Sequence, residues 1–265
     1  MKLNEWLGLD PNEKPLDNIV TDGGMCAIFR TLCCIGDSLA SGEFEALGKD
    51  GTRSYHDQFE YSWGQFIARS CGSKVYNFSR GGMTASEYCD SFAEDKGFWS
   101  RDLLAQAYIM ALGVNDLFGH NQPVGSVADV DLTDWRNNAP TFAGYYCRII
   151  QRIREMQPHA PFFLVTMPRD ASVVDEKRQK HAALLYEIAS LFPNVYVIDL
   201  LQYAPIFDGA FRERFNLYGH HNPMGYIVLA RMIESYIDYI IRHDPKKFRQ
   251  VGFIGTEFYD EELEK

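Results

Sequence analysis

The stretch RTLCCIGDSLASGEF (30–44) decides the fold. Its apolar run TLCCIG (31–36) is typical of a buried β-strand. The run stops at Gly36-Asp37-Ser38, after which small and polar residues follow. Two interpretations are open: Ser38 simply terminates the strand, or the sheet presents Ser38 as a nucleophile at its edge. The rest of the chain distinguishes between them.

Short apolar runs alternate along the chain with segments of helical spacing. Besides 31–36, the predicted strands are KVYNFS (74–79), AYIMALG (107–113), PFFLVTMP (161–168) and NVYVIDL (194–200). The predicted helices lie within 54–72, 141–158, 175–193 and 222–245. The last helix has Asn222 as its N-cap and Pro223 in its first turn. This alternation predicts an α/β fold, a parallel sheet with helices on both faces, whose ligands bind beyond the carboxyl ends of the strands.

The composition is that of a globular protein: of 265 residues, 46% are hydrophobic and 23% are charged. The formal net charge of −10 argues against nucleic acid or an anionic membrane as the main partner. No window reaches the roughly 18 apolar residues that a membrane span requires. Because we find no internal repeat, low-complexity tract or linker, we interpret residues 1–265 as a single domain.

The cysteines and the N-terminal sequence predict a cytoplasmic location. The six cysteines form no CxxC pair, and Cys33 and Cys34 lie side by side within a predicted strand. We therefore expect buried reduced thiols rather than disulfides. The first 20 residues lack the apolar run of a signal peptide. Secretion after removal of a signal is the alternative.

Four segments carry the groups that acyl transfer needs. GDS (36–38) offers a hydroxyl, and NFSRGGMT (77–84) offers bare backbone amides. ALGVNDLFG (111–119) offers an asparagine amide, and YGHHNPMGY (218–226) offers an imidazole. A serine hydroxyl attacks an ester carbonyl when a neutral histidine takes its proton. Backbone N–H groups and an Asn or Gln side chain can then stabilise the oxyanion, so the combination favours the nucleophile interpretation.

The chain resembles the SGNH, or GDSL, hydrolase superfamily in four blocks that follow the family order: GDSL, SRGGMT, GVND and HHNPMGY. The resemblance spans residues 31–230. It implies a three-layer α/β/α sandwich whose five-stranded parallel sheet has flavodoxin-like order. It also implies an enzyme that hydrolyses carboxylic esters, a GDSL-like esterase or lipase.

The resemblance further implies which residues form the oxyanion hole. Ser38 is the expected nucleophile, and its own backbone N–H is one donor. Gly82 is expected to supply the second N–H, with Gly81 as the alternative. The side-chain amide of Asn115 is expected to complete the hole. The implied chemistry needs no cofactor and no metal.

His220 is the expected general base. It stands five residues before Gly225, which is the family spacing, and His221 is its rival. Adjacent histidines point apart, and no cluster of acids accompanies them, so a metal pair is disfavoured. The remaining histidines are expected at the surface or in loops: His56, His120, His159, His181 and His243.

The chain departs from the family pattern at the acidic member of the triad. The family places it three residues before the histidine, where this chain has Leu217, or Tyr218 when counted from His221. Either a backbone carbonyl orients His220 in a Ser–His dyad, or an acid comes from elsewhere. The nearest upstream acids are Asp208 and Glu213. We favour the carbonyl-supported dyad.

The expected substrate is a small-molecule or carbohydrate ester with a short acyl group, such as an O-acetylated sugar. A lipolytic acylhydrolase or lysophospholipase is the alternative within the superfamily. The alternative from another class is a non-catalytic carbohydrate-binding or scaffold protein that retains the fold. The long loop over 118–140 is a candidate lid or binding element, and its Trp135 is a candidate for sugar stacking.

Overall fold

The strands of the computed structural model, which describes residue 7 and residues 9–264, form three sheets. Their bounds are β1 (Thr31–Gly36), β2 (Glu43–Leu47), β3 (Arg53–Asp57), β4 (Lys74–Ser79), β5 (Ala107–Ala111), β6 (Phe162–Val165), β7 (Val195–Ile198), β8 (Asn216–Leu217) and β9 (His220–His221). A five-stranded parallel sheet has the order β4-β1-β5-β6-β7. This is the predicted flavodoxin-like order. Two antiparallel pairs, β2 with β3 and β8 with β9, lie outside it.

Helices cover both faces of the parallel sheet, which gives the predicted three-layer arrangement. Their bounds are α1 (Ser38–Ser41), α2 (Trp63–Cys71), α3 (Ala85–Glu87), α4 (Ala93–Asp95), α5 (Phe142–Met156), α6 (Glu176–Leu191), α7 (Leu200–Tyr203), α8 (Gly209–Phe215) and α9 (Pro223–His243). Helix α9 begins as predicted, because the side chain of Asn222 accepts the N–H of Gly225 and Pro223 is the first helical residue.

The five predicted strands of the parallel sheet are all present. The first two, β1 and β4, have the predicted bounds. The other three end earlier than predicted, because their apolar runs continue into the loops that follow the sheet edge. Strand β1 is buried from Leu32 to Gly36, as expected for a central strand of a parallel sheet.

The predicted helix over 54–72 is wrong in its first half. Arg53–Asp57 forms strand β3 instead, and α2 begins only at Trp63, after Ser62 caps it. Every residue of β3 is exposed, so hydrophobic periodicity carries no signal for this strand. The helix ends as predicted at Gly72, which has a φ of 65°.

Three further predictions concern the cysteines, membrane-spanning helices and the N-terminal segment. All six cysteines are buried free thiols, as predicted. In the described part of the chain, no helix is long and apolar enough to cross a membrane. The prediction that a signal peptide is missing falls partly on residues 1–6 and 8, which lie outside the described residues.

Candidate active site

Ser38 lies two residues beyond Gly36, the last residue of β1, at the carboxyl edge of the parallel sheet. Gly36, the last residue of β1, pairs with Ser79 of β4 on one side and with Ala111 of β5 on the other. The segments that leave β4 and β5 therefore flank the segment that carries Ser38. Ser38 begins α1 and is half-buried, so it is accessible from the edge where ligands bind in sheets of this type.

The side-chain amide of Asn115 connects these three strand exits. Its Nδ2 donates to the carbonyl oxygen of Met83 at 3.1 Å and lies 3.5 Å from Oδ2 of Asp37. Met83 directly follows Gly82, and Asp37 directly precedes Ser38. The structure thus brings the segments of the three expected oxyanion-hole residues into contact.

The two glycines after β4 differ in their surroundings. Gly82 is exposed and has a φ of 73°, and nothing lies within 4 Å of the place that a Cβ would occupy. A Cβ at Gly81 would instead collide with the carboxylate of Glu43. The backbone conformation therefore favours glycine at 82, whereas a side chain at 81 would require the carboxylate of Glu43 to move.

Two carboxylates contact the ring of His220. Its Nε2 lies 3.1 Å from Oε1 of Glu43, and its Nδ1 lies 3.5 Å from Oε2 of Glu45. Tyr55 packs edge-on against the ring, with 5.8 Å between the ring centroids. Among the residues that the structure describes, no hydrogen bond joins His220 to Ser38. Both ring nitrogens thus face carboxylates in this conformation.

The two glutamates differ in how firmly they are held. They alternate along β2 and therefore project from the same face of the strand. Burial raises the pKa of Glu43, and the charge of His220 opposes that rise. Burial also acts to raise the pKa of Glu45, but the N–H of Gly219, at 2.7 Å, and the charge of Arg53 outweigh it and lower the pKa. Glu45 is therefore a fixed, charged carboxylate, and Glu43 is the weaker acid.

His221 points away from His220, because adjacent residues of a strand face opposite sides. Its Nδ1 lies 2.8 Å from Oδ1 of Asn216. Three aromatic rings pack against it: Phe207, Phe211 and Tyr226. Burial lowers the pKa of His221 to about 4, so its imidazole is neutral at pH 7.

In the described part of the chain, neither of the acids nearest upstream of His220 forms an ion pair with its ring. Asp208 caps α8 by accepting the N–H of Phe211. Glu213 is exposed on the same helix. Leu217 pairs with His220 across the β8–β9 turn and is 43% exposed, so the family position of the acid lies next to the ring but carries no charge.

Glu43 and Glu45 are the functional candidates that sequence reasoning missed. A signal for them was present, since EFE (43–45) directly follows GDSLASG and its alternation places both acids on one face of a strand. The hairpin that carries them is the element whose second strand was predicted as helix. In the described ranges, no group of three or more His, Cys, Asp and Glu side chains is arranged to hold a metal ion.

Asp37 braces the turn that presents Ser38. It is buried, and its Oδ1 accepts the N–H of Leu39 at 3.1 Å. Burial raises the pKa of Asp37 to about 7, and the charge of Asp116 acts in the same direction. Asp116 accepts the N–H of Ala85 at 2.8 Å and so connects the segments after β5 and β4.

A buried histidine supports the turn that carries Asn115. His181 of α6 is fully buried, which contradicts the surface or loop position expected for it. Its Nε2 lies 3.1 Å from the carbonyl oxygen of Leu112. The next residue, Gly113, has a φ of 134°, and a Cβ there would lie 2.7 Å from the same Nε2. The residues before His181 in α6 are polar, so the sequence does not indicate that His181 lies on the buried face of this helix.

A cavity of about 410 Å³ lies beside the nucleophile. It is lined by both neighbours of Ser38, which are Asp37 and Leu39, and by His221. Its apolar wall includes Leu112, Val165, Leu200, Leu229 and Ile233. Arg178 and Arg212 also line it. The cavity therefore offers mostly apolar surface close to Ser38.

The loop over 118–140 packs against α5. The Nε1 of Trp135 donates to Oε1 of Glu155 at 2.9 Å. Three guanidinium groups lie over its ring: those of Arg136, Arg148 and Arg152. These cation–π contacts occupy the ring that was the candidate for sugar stacking.

Comparison of the sequence with known families identifies the class of protein. The chain matches the GDSL-like lipase/acylhydrolase family over residues 34–227, a range that contains Ser38, Gly82, Asn115 and His220. The chain belongs to this family and is an ester hydrolase. No curated protein matches the chain.

Solved structures of low sequence identity share the fold. A family two carbohydrate esterase from Clostridium thermocellum, in complex with cellohexaose, has a TM-score of 0.57 at 16% identity, over 86% of this chain and 66% of that chain. A family 3 carbohydrate esterase from the same organism has a TM-score of 0.51 at 14% identity, over 80% and 97%. A possible lipase from Chitinophaga pinensis has a TM-score of 0.50 at 18% identity, over 80% and 98%. These similarities confirm the predicted SGNH hydrolase fold.

Proposed function

We propose that this ester hydrolase works through an acyl-enzyme formed on Ser38. The observation that carries the proposal is the position of the Asn115 amide, 3.1 Å from Met83 and 3.5 Å from Asp37. Because these two residues adjoin Gly82 and Ser38, one amide reaches both the nucleophile segment and the glycine segment. A site of that kind suits a reaction in which negative charge develops on an oxygen beside the serine.

In the first half of the reaction, His220 takes the proton of the Ser38 hydroxyl as Oγ attacks the ester carbonyl carbon. The carbonyl oxygen becomes an oxyanion, which accepts hydrogen bonds from the backbone N–H groups of Ser38 and Gly82 and from Nδ2 of Asn115. When the intermediate collapses, the bond to the alcohol oxygen breaks, and His220 gives its proton to that oxygen.

In the second half, His220 takes a proton from water, whose oxygen attacks the acyl carbon. Collapse of this second intermediate breaks the bond to Oγ, and Ser38 recovers its proton from His220. Both halves need Nε2 of His220 to leave Glu43 and face Ser38. Catalytic hydrogen bonds often form only in the substrate complex.

The substrate that we propose is a short-acyl ester of a carbohydrate-like alcohol. The net charge of −10 disfavours an anionic lipid surface, and two of the structural neighbours are carbohydrate esterases. The test is hydrolysis of a chromogenic acetyl ester and of acetylated sugars by the wild type, by Ser38→Ala and by Ser54→Ala. Ser54 lies on the exposed strand β3 and serves as the matched control.

We expect Ser38→Ala to lose activity and to lose labelling by a fluorophosphonate, while Ser54→Ala keeps both. Equal rates in Ser38→Ala and the wild type would reject the mechanism. A wild type that is inactive on a panel of short esters and is not labelled would instead support the non-catalytic binding or scaffold alternative.

The second candidate is a lipolytic acylhydrolase, and the cavity beside Ser38 is the observation that favours it. Its volume of about 410 Å³ and its apolar wall would accommodate an acyl chain of several carbons. Val114 lines the cavity and is 40% exposed, so Val114→Trp would narrow it without disturbing the core. If the chain enters here, this variant loses more activity on an octanoyl ester than on an acetyl ester. A wild type that prefers acetyl in a series from acetyl to decanoyl would exclude this candidate.

A further inference from the structure

We propose that Glu45 positions the catalytic histidine and takes the place of the acid that is missing at Leu217. This inference rests on the proposed role of His220 as the base of the reaction. It concerns the strand pair β2–β3, which directly follows the nucleophile segment, whereas the resemblance places the family acid three residues before the histidine.

Glu45 faces the ring nitrogen of His220 that a positioning acid has to face. In a serine hydrolase the positioning acid lies at Nδ1, so that Nε2 is free for the nucleophile. Glu45 lies at Nδ1 of His220, at 3.5 Å, whereas Glu43 lies at Nε2, at 3.1 Å. Only Glu45 can therefore keep its contact with the ring while Nε2 faces Ser38.

The carboxylate of Glu45 is buried and held by two partners. Its side chain is only 3% exposed, and a buried carboxylate is costly unless other groups pair with it. The N–H of Gly219 donates to its Oε2, the same oxygen that faces Nδ1. Arg53 pairs with Oε1. These partners fix the carboxylate in place and keep it charged, which is what orienting an imidazole and stabilising an imidazolium require.

In the part of the chain that the structure describes, no other group orients the ring at Nδ1. Nδ1 is buried, and it has no hydrogen-bond partner of standard geometry among the described residues. Glu45 is the described carboxylate nearest to this nitrogen, and a shift of a few tenths of an ångström would turn the 3.5 Å contact into a charge-assisted hydrogen bond. We infer that Nδ1 already directs its proton at this carboxylate in the resting enzyme, and that the contact shortens to a hydrogen bond when the ring turns its Nε2 toward Ser38.

The first test compares kinetics of glutamine variants. We expect Glu45→Gln to lower kcat by about 10²–10⁴-fold with a KM changed by less than about threefold, because the bond that it weakens acts mainly in the transition state. Glu60→Gln, a change at an exposed glutamate, is the matched control. We expect Glu43→Gln to lose less than Glu45→Gln; the reverse order would overturn the proposal.

The second test is rescue from the family position. Leu217 is the direct cross-strand partner of His220, so an aspartate there lies within reach of the ring. We expect Leu217→Asp to restore kcat by about tenfold or more in the Glu45→Gln background, because it returns a carboxylate to the histidine. A merely structural role of Glu45 predicts no such rescue, so failure of Leu217→Asp to improve a folded Glu45→Gln enzyme counts against the proposal.

The third test does not require turnover and therefore separates this proposal from the proposed function. The ¹⁵N NMR signals of His220, assigned by their loss in His220→Ala, report which ring nitrogen carries the proton. In the wild type at neutral pH we expect the proton on Nδ1, facing Glu45, and we expect the Nε2–H form to increase in Glu45→Gln. A neutral wild-type ring that carries its proton on Nε2 overturns the proposal even if Glu45→Gln does not fold. An active Ser38→Ala enzyme would reject the proposed function and leave this result intact.

Discussion

Nε2 of His220 and Oε1 of Glu43 lie 3.1 Å apart, so a carboxylate occupies the side of the ring that a serine nucleophile requires. Glu43 is the less firmly charged of the two glutamates, because burial raises its pKa. We predict that a phosphonate adduct on Ser38 separates Glu43 from His220. In a crystal structure of the adduct, Nε2 should lie within hydrogen-bond distance of the adduct oxygens. An adduct in which His220 still contacts Glu43 would show that the base lies elsewhere.

The two adjacent histidines should behave differently when each is replaced by alanine. We expect His220→Ala to lower kcat by about 10²–10⁴-fold, the usual contribution of general acid–base catalysis, with little change in unfolding free energy. His221→Ala removes a buried ring that contacts Asn216, so we expect it to lower the free energy of unfolding by about 1–3 kcal/mol. We expect it to lower kcat less than His220→Ala does. Urea unfolding and steady-state kinetics measure both effects. Inactivation by His221→Ala alone would mean that His221 is the base.

The parallel sheet could be predicted from the sequence, and the hairpin beside it could not. Strands β1 and β5 carry continuous apolar runs, because both faces of a central parallel strand are buried. Strand β3 is exposed throughout, and its spacing resembled the start of the helix that follows. A strand that is held by hairpin pairing alone leaves no hydrophobic pattern to read.

The same difference limits what the sequence reveals of the candidate site. Ser38, Gly82, Asn115 and His220 stand in recognisable motifs at the ends of predicted elements. Glu45 reaches His220 only because β2 folds back beside β9, a contact between residues 175 positions apart. Charged residues in a strand usually face solvent, so the partner of His220 became visible only with the tertiary structure.

Asn115 is expected to act mainly in the transition state. Asn115→Ala removes the amide that would donate to the oxyanion, and loss of one such donor typically costs about 10²–10³-fold in kcat. KM should change much less, because the ground-state ester carries little charge on its carbonyl oxygen. The variant also loses the 3.1 Å hydrogen bond to Met83, so its folding should be checked by circular dichroism. Equal activity of a folded Asn115→Ala enzyme and the wild type would remove Asn115 from the oxyanion hole.

Asp37 should make stability fall as pH rises toward neutrality. Its pKa in the folded protein is about 7, raised chiefly by burial from 3.8, so between these values the folded state binds more protons than the unfolded state. The contribution of Asp37 to the free energy of unfolding is therefore greatest below about pH 4. It decreases as the pH rises to about 7, by at most about 4 kcal/mol. Asp37→Asn keeps the N-cap and cannot ionise, so its stability relative to the wild type should increase from pH 4 to pH 7. Urea unfolding of both proteins at pH 4, 5.5 and 7 measures this difference, and a constant difference across that range would show that the carboxylate of Asp37 ionises without penalty.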